Sequence, residues 1–201
     1  MIGEILAHLD YLEGAIGRLS DRINEAMIPF AIERDLLATI PGVERRLAEA
    51  IIAEVGVDMT QFGTAERLAS WAGMCPGQHE SAGKSRSGRS RHGDTWLQKH
   101  LTVAAMAAVH TKDSYLAAQY ARLVKRRGKA RARKAVGHSI LVMVFHILAS
   151  GQPYQDLGGD YFLRRHSPQR RAQQHLHDLE RLGWIITHTD HGVICQPPAA
   201  A

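Results

Sequence analysis

Cysteine is scarce: the 201 residues hold only Cys75 and Cys195, far apart in the chain. Two such residues supply no disulfide framework. Long hydrophobic runs are missing as well. The longest apolar stretch, Ser139 to Ala149, is too short to span a bilayer and is interrupted by His146. The N-terminus, Met1-Ile2-Gly3-Glu4, has neither the basic region nor the continuous apolar stretch of a secretory signal. The expectation is a cytoplasmic protein with no membrane partner. Neither low complexity nor an internal repeat is present. With 45% hydrophobic and 22% charged residues, 18 Gly and 7 Pro, the composition argues against disorder and collagen-like repeats. The length suffices for one or two domains with a real core.

Acidic residues are scarce in one place. Between Lys84 and Lys134 stand fourteen Lys and Arg against Asp94 and Asp113, a net +12, while the remainder of this +5 chain carries −7. A concentrated field of that sign raises affinity for polyanions and speeds their encounter. A solvated face of a helical bundle is the alternative, but the near absence of interspersed acids favours nucleic acid.

What is present is mostly helical periodicity. Ile5, Leu9, Leu12, Ile16, Leu19, Ile23 and Ala26 alternate spacings of four and three, the 3.5-residue period of a coiled-coil seam. The same stripe would also serve an amphipathic helix packed on its own domain. Gly14 and Gly17 weaken it, and Pro29 ends or kinks it. A helix is then expected to stop at Ile40, with a turn at Pro41-Gly42 and a second helix from Glu44 to Val55, closed by Gly56. This reads either as a helix-hairpin-helix, whose hairpin amides hold a DNA phosphate, or as a plain αα-hairpin. A short helix, Thr64 to Ala72, has Thr64 as its cap and Leu68 and Trp71 on its buried side.

From Pro76 to Asp94 there is no large apolar residue, which predicts a long polar loop. Helical spacing resumes at Leu97–Ala108 and Leu116–Leu123. A basic turn, Lys125–Lys129, then leads to a buried helix of about Ala130–Ala149 with Val136, Ile140, Val144 and Ile147 in the core. Arg131, Arg133 and Lys134 oppose that helix's dipole unless an anion sits nearby. A last helix, Pro168–Leu182, precedes a strand at Trp184–Thr187 and a frayed end, 197–201. The fold class expected is mainly α. It comprises an N-terminal coiled-coil-like helix (1–34), a helical domain (35–150) with a helix-hairpin-helix and a polar loop (76–95), and a small α+β C-terminal tail (151–201).

Gly83-Lys84-Ser85 suggests a phosphate loop, but Gln78 stands where that motif needs its first Gly. His175, His177, His188, His191 and Cys195 match no standard zinc spacing and read as surface residues. A serine nucleophile acting on a phosphodiester is the remaining chemistry. It needs an exposed Ser in a Gly-flanked backbone among cations. Ser81 fits, followed by Ala82-Gly83 with Lys84, Arg86, Arg89 and Arg91 nearby; Ser85, Ser87 and Ser90 fit as well by residue type. Composition alone favours an arm that only touches phosphates.

The ordered pattern Pro76-x4-Ser81-x-Gly83-Lys84-x-Arg86-x-Gly88-Arg89-x3-Gly93-Asp94-x2-Leu97 follows Leu68-Ala69-x2-Ala72-Gly73 and Ile40-Pro41-Gly42-Val43. Over about Leu36 to Ala149 it resembles the C-terminal domain of the insertion-sequence one-hundred-and-ten family of transposases, the bridge-RNA-guided recombinases of mobile elements. The upstream heptads resemble that family's coiled coil, which helps subunits associate. The resemblance implies a serine that attacks DNA and becomes linked to it, at Ser81. Lys84, Arg86, Arg89 and Arg91 of the loop are expected to hold or polarise phosphates, with further nucleic-acid contacts expected from Pro41 and Gly42 of the hairpin and from the basic Arg126, Arg127 and Lys129. The family's metal-binding acidic domain lies upstream of the coiled coil. A chain starting at that coil is expected to hold no cofactor of its own, with Mg2+ arriving only with the missing domain. Expected partners are DNA, a structured guide RNA and a second copy through residues 5–26. The alternative reading is a non-catalytic helix-hairpin-helix module that binds nucleic acid and dimerises.

Overall fold

Apolar residues at intervals of three and four from Ala132 onward give the chain its central helix. In a computed structural model, which describes residues 1–75, 92–165, 172–173, 175–187 and 192–197 and the backbone of 78–81, 84–87, 168–171, 174 and 188–189, this helix runs Lys129–Ser150 (α7). Val136, Ile140, Leu141 and Val144 are fully buried. By length and composition alone α7 is apolar enough to cross a membrane, more so than the stretch Ser139–Ala149 suggests. In this fold its apolar faces are covered by protein. It packs against Ala31–Leu37 (α2), Ala65–Trp71 (α4), Thr95–Ala108 (α5) and Tyr115–Arg127 (α6). Burying one such Val, Leu or Ile contributes about 1.5–3 kcal/mol. The close crossing of α5 and α7 depends on Gly137, where a Cβ would lie 3.2 Å from the Leu101 carbonyl oxygen and 3.0 Å from Met74 Cε.

The first helix, Ile2–Ala26 (α1), has the opposite fate: none of its residues is buried. Ile5, Leu9, Leu12, Ile16, Leu19 and Ile23 are all exposed, so the heptad stripe is not packed on this chain's own bundle. One anchor is polar, Arg45 Nη2 donating to Asn24 Oδ1 at 2.8 Å. After α1 a single 3-10 turn, Ile28–Phe30, carries Pro29 in its first positions and leads into α2.

The helix before the first hairpin ends at Leu37 and not at Ile40. Thr39 and Ile40 donate to the carbonyls of Leu36 and Leu37, three residues back, which tightens the chain ahead of Pro41. The residue before a proline is pushed out of the helical region, so the α-helix closes early. Arg45–Val55 (α3) follows, with Gly56 at φ +72° ending it. In α4, Thr64 accepts from the Arg67 amide as its cap. Trp71 is not on the buried side: it is 46% exposed, while Ala65, Leu68, Ala69 and Ala72 form the buried face. Position 71 lies three residues beyond Leu68, at the edge of that stripe, and its ring tilts onto Phe62 with centroids 5.4 Å apart.

The polar stretch is not all loop. Gln78–Ser81 (β1) and Lys84–Ser87 (β2) pair antiparallel. The basic run Lys125–Lys129 is not a turn either. Lys125, Arg126 and Arg127 form the last turn of α6, and Gly128 alone, at φ +77°, joins it to α7. Beyond α7, residues 151–159 fold back on the bundle, where the Tyr154 amide donates to Thr39 Oγ1 at 2.8 Å and the Tyr115 amide to Asp156 Oδ1 at 2.9 Å.

The chain divides into two units, Met1–Gly159 and Asp160–Ala201. The second contains Tyr161–Arg164 (α8), Pro168–Arg181 (α9) and an antiparallel pair, Ile185–Thr189 (β3) with Gly192–Gln196 (β4). The single strand expected at 184–187 is thus half of a hairpin.

Candidate nucleic-acid interface

The two ends of the β1–β2 segment are fixed by backbone chemistry. On the entry side α4 closes in a Schellman arrangement: Gly73, at φ +68°, donates to the Ser70 carbonyl and Met74 to the Ala69 carbonyl. On the exit side Asp94 caps α5, its Oδ1 accepting from the Leu97 amide at 2.8 Å. Gly93 brings the two together, because a Cβ there would lie 2.3 Å from the Ala72 carbonyl carbon and the Gly73 nitrogen. Gln98 Nε2 then donates to the Ala72 carbonyl at 2.9 Å. The hairpin therefore springs from one point between the end of α4 and the start of α5.

Within the hairpin the register pairs Ser81 with Lys84, Glu80 with Ser85, His79 with Arg86 and Gln78 with Ser87. Among the three serines of the two strands, only Ser81 stands opposite a basic residue. Arg89 and Arg91 lie outside the described residues. Pro41 and Gly42 occupy the centre of a tight turn in which the Val43 amide donates to the Ile40 carbonyl at 3.0 Å, with Gly42 at φ +81°. Proline then glycine with that geometry make a type II turn. A Cβ on Gly42 would sit 2.4 Å from the Ala104 carbonyl oxygen and 2.5 Å from the Ala108 nitrogen. The turn is thus held against α5, the helix that begins at the hairpin's exit. Arg126, Arg127 and Lys129 lie together around the Gly128 joint, exposed and without an ion pair among the described residues.

Several neighbouring residues escaped the sequence reading. Trp96, in the first turn of α5, is exposed, with Lys99 Nζ over its ring at 4.5 Å from the centroid. Glu54 of α3 faces Asp94. Burial, then a hydrogen bond and the like charge from Asp94, push its carboxyl above the usual range against the pull of His100. Glu49 shows the reverse. It is only 4% exposed; burial opposes its ionisation, but Arg45 and Arg46 reach it at 3.0 and 2.7 Å and hold its carboxyl below the usual range. Glu54 and Asp94 lie forty residues apart, so no local spacing joins them. Among the described residues no group of three or more His, Cys, Asp or Glu is placed to hold a metal ion.

Over 128 residues, 61% of the chain, the sequence is 27% identical to a protein of Sinorhizobium fredii (strain NBRC 101917 / NGR234) named "Putative transposase y4pF/y4sB". The aligned stretch spans 33% of that relative's length. The sequence pattern of the family described as "Transposase IS116/IS110/IS902 family" matches residues 34–121. The part of the bundle from α2 into α6, with the β1–β2 hairpin at its edge, is thus similar to the transposase domain of the IS116/IS110/IS902 family.

Proposed function

We propose that this chain is the DNA-handling, serine-bearing part of a transposase, in which Ser81 is the nucleophile. The observation that carries the reading is the register of the hairpin: Ser81 at the end of β1, opposite Lys84, with Arg86 two positions further along the same strand. Attack on a DNA phosphodiester would form an Oγ–P bond and release one deoxyribose oxygen as a hydroxyl, with the serine proton passing to that oxygen directly or through water. Negative charge accumulates on the non-bridging oxygens, and cations at 84, 86, 89 and 91 lower its cost. Arg126, Arg127 and Lys129, with the turn at Pro41 and Gly42, extend the phosphate contacts beyond the reacting bond. The same cations suit a structured guide RNA, whose backbone carries the same charge. Self-association through residues 5–26 belongs to this reading and is supported by the exposed apolar stripe of α1.

The experiment is a salt titration of duplex binding with the chain and its Ser81→Ala variant. The log–log slope is expected to be steep, roughly −0.9 per phosphate contact, and nearly the same in both proteins. A flat salt dependence rejects nucleic acid as the partner.

A further inference from the structure

Between α5 and α7, beside Met74, lies a cavity of about 250 Å³ whose described lining is Met74, Gln98, Thr102, Ala130, Arg133 and Lys134. Helical spacing explains the lining. Positions 98 and 102 are one turn apart on α5, and 130, 133 and 134 are i, i+3 and i+4 on α7, so each set projects to one side. Met74, which follows the α4 cap and precedes β1, is buried and contributes the apolar wall.

Among the described residues that line it, two carry cationic side chains and two carry hydrogen-bond donors, and none of the six is a carboxylate. Gln98 and Thr102 are held in place, Nε2 on the Ala72 carbonyl and Oγ1 on the Gln98 carbonyl at 2.7 Å. The one partner of Arg133 among the described residues is Met106, whose sulfur accepts from Nη1 at 3.7 Å, and a thioether is a weak acceptor. Burial holds the Lys134 ammonium below its ordinary pKa. A desolvated cation gains more from an anion than a solvated one does. The volume is below the ~300–1,000 Å³ of pockets for drug-sized ligands.

We infer that this cavity is a binding pocket for a single phosphate group, held by Arg133 and Lys134 at the foot of the β1–β2 hairpin. Its natural source is a backbone phosphate of the bound nucleic acid, and on that point alone the inference rests on the proposed function. One phosphate seated there would fix the strand relative to the hairpin, because Met74 forms both the pocket wall and the hairpin's entry. It would also offset the Lys and Arg in the first turns of α7, which otherwise oppose the helix dipole.

The test uses the whole chain, Arg133→Gln and Lys134→Met as variants, and Lys112→Gln as a control that removes one exposed charge elsewhere. Inorganic phosphate is titrated against chloride at equal ionic strength, reading amide shifts of Gln98, Thr102 and Ala130. Saturable shifts are expected in the wild type and the control, with binding at least about tenfold weaker in either variant, the effect of losing a charged hydrogen bond. In a parallel salt titration on duplex DNA, each variant should reduce the magnitude of the log–log slope by about 0.9. Loss of phosphate binding with an unchanged DNA slope keeps the pocket and makes free phosphate its source. Absence of phosphate-specific shifts in the wild type, or equal shifts in the variants, overturns the pocket, whatever the DNA titration gives. A steep DNA slope alongside that result leaves the proposed function standing.

Discussion

Between Met27 and Ile147 the bundle keeps its shape by excluding water from large aliphatic side chains, with Leu37, Ile51, Leu68, Leu97, Leu116 and Ile140 fully buried. Between Gln78 and Ser87 the strands read Gln-His-Glu-Ser and Lys-Ser-Arg-Ser and contain no apolar residue. An isolated two-stranded hairpin is at best marginally stable in water. What locates this one is its root: the Schellman turn at Gly73, the close approach at Gly93 and the Asp94 cap. The two regions divide the work. The bundle supplies rigidity and position and carries the cations of its last two long helices, while the hairpin, with Lys84 and Arg86 beside the proposed serine, has little stability of its own.

That contrast is most easily broken from the bundle's side. Ile140→Ala removes a fully buried side chain from the middle of α7 and should cost about 2–5 kcal/mol, read as a fall in the denaturation midpoint. The salt slope for DNA should be unchanged under conditions where the variant is folded. A matching loss of slope would mean that core and interface are not separable. Gly42→Ala comes next. It places a Cβ on a residue at φ +81°, which alone costs about 1–2 kcal/mol, and presses it into the Ala104–Ala108 backbone of α5. Thermal melting should show the loss, and unaltered melting would mean that the turn is free of α5.

The smallest effect sharpens the comparison where the two regions meet. The folded-state pKa of Glu54 is raised, so the ionised form is disfavoured in the native state. Its penalty is absent below the unfolded pKa and grows as pH rises through the folded one. Glu54→Gln should therefore raise the melting temperature at pH 8 relative to wild type and leave it near the wild-type value at pH 4. Equal shifts at both pH values would show that charge is not the cause.

The bundle was largely legible because its signals are local. Thr64 before a helical run, Gly56 after one, and the spacing of Val136, Ile140, Val144 and Ile147 each report on neighbours within a turn or two. The basic joint was misread because Lys and Arg are good helix formers, and a run of them hides a helix end as readily as it marks a turn. β1 and β2 escaped because strands polar on both faces carry no apolar alternation. β4 escaped because Val193-Ile194-Cys195 is only three apolar residues long. The candidate site divides in the same way. By residue type Ser81 is level with Ser85, Ser87 and Ser90, and only the resemblance singles it out. Its pairing with Lys84 is a property of register, which no spacing along this polar stretch specifies. The cavity between α5 and α7 joins residues more than thirty positions apart and left a single trace, the cations crowding the start of α7.

Ser81 as nucleophile is tested by trapping its covalent product. A transposase containing this chain is incubated with its DNA substrate, denatured, and examined for protein that retains linked nucleotide, with the linked residue located by peptide mass. An adduct on Ser81 is expected, abolished by Ser81→Ala while duplex affinity stays within a few-fold, because one neutral hydroxyl contributes little beside the surrounding cations. Ser85→Ala and Ser87→Ala should retain the adduct. An adduct that persists in Ser81→Ala at near wild-type yield, or one mapped to another residue, would contradict it.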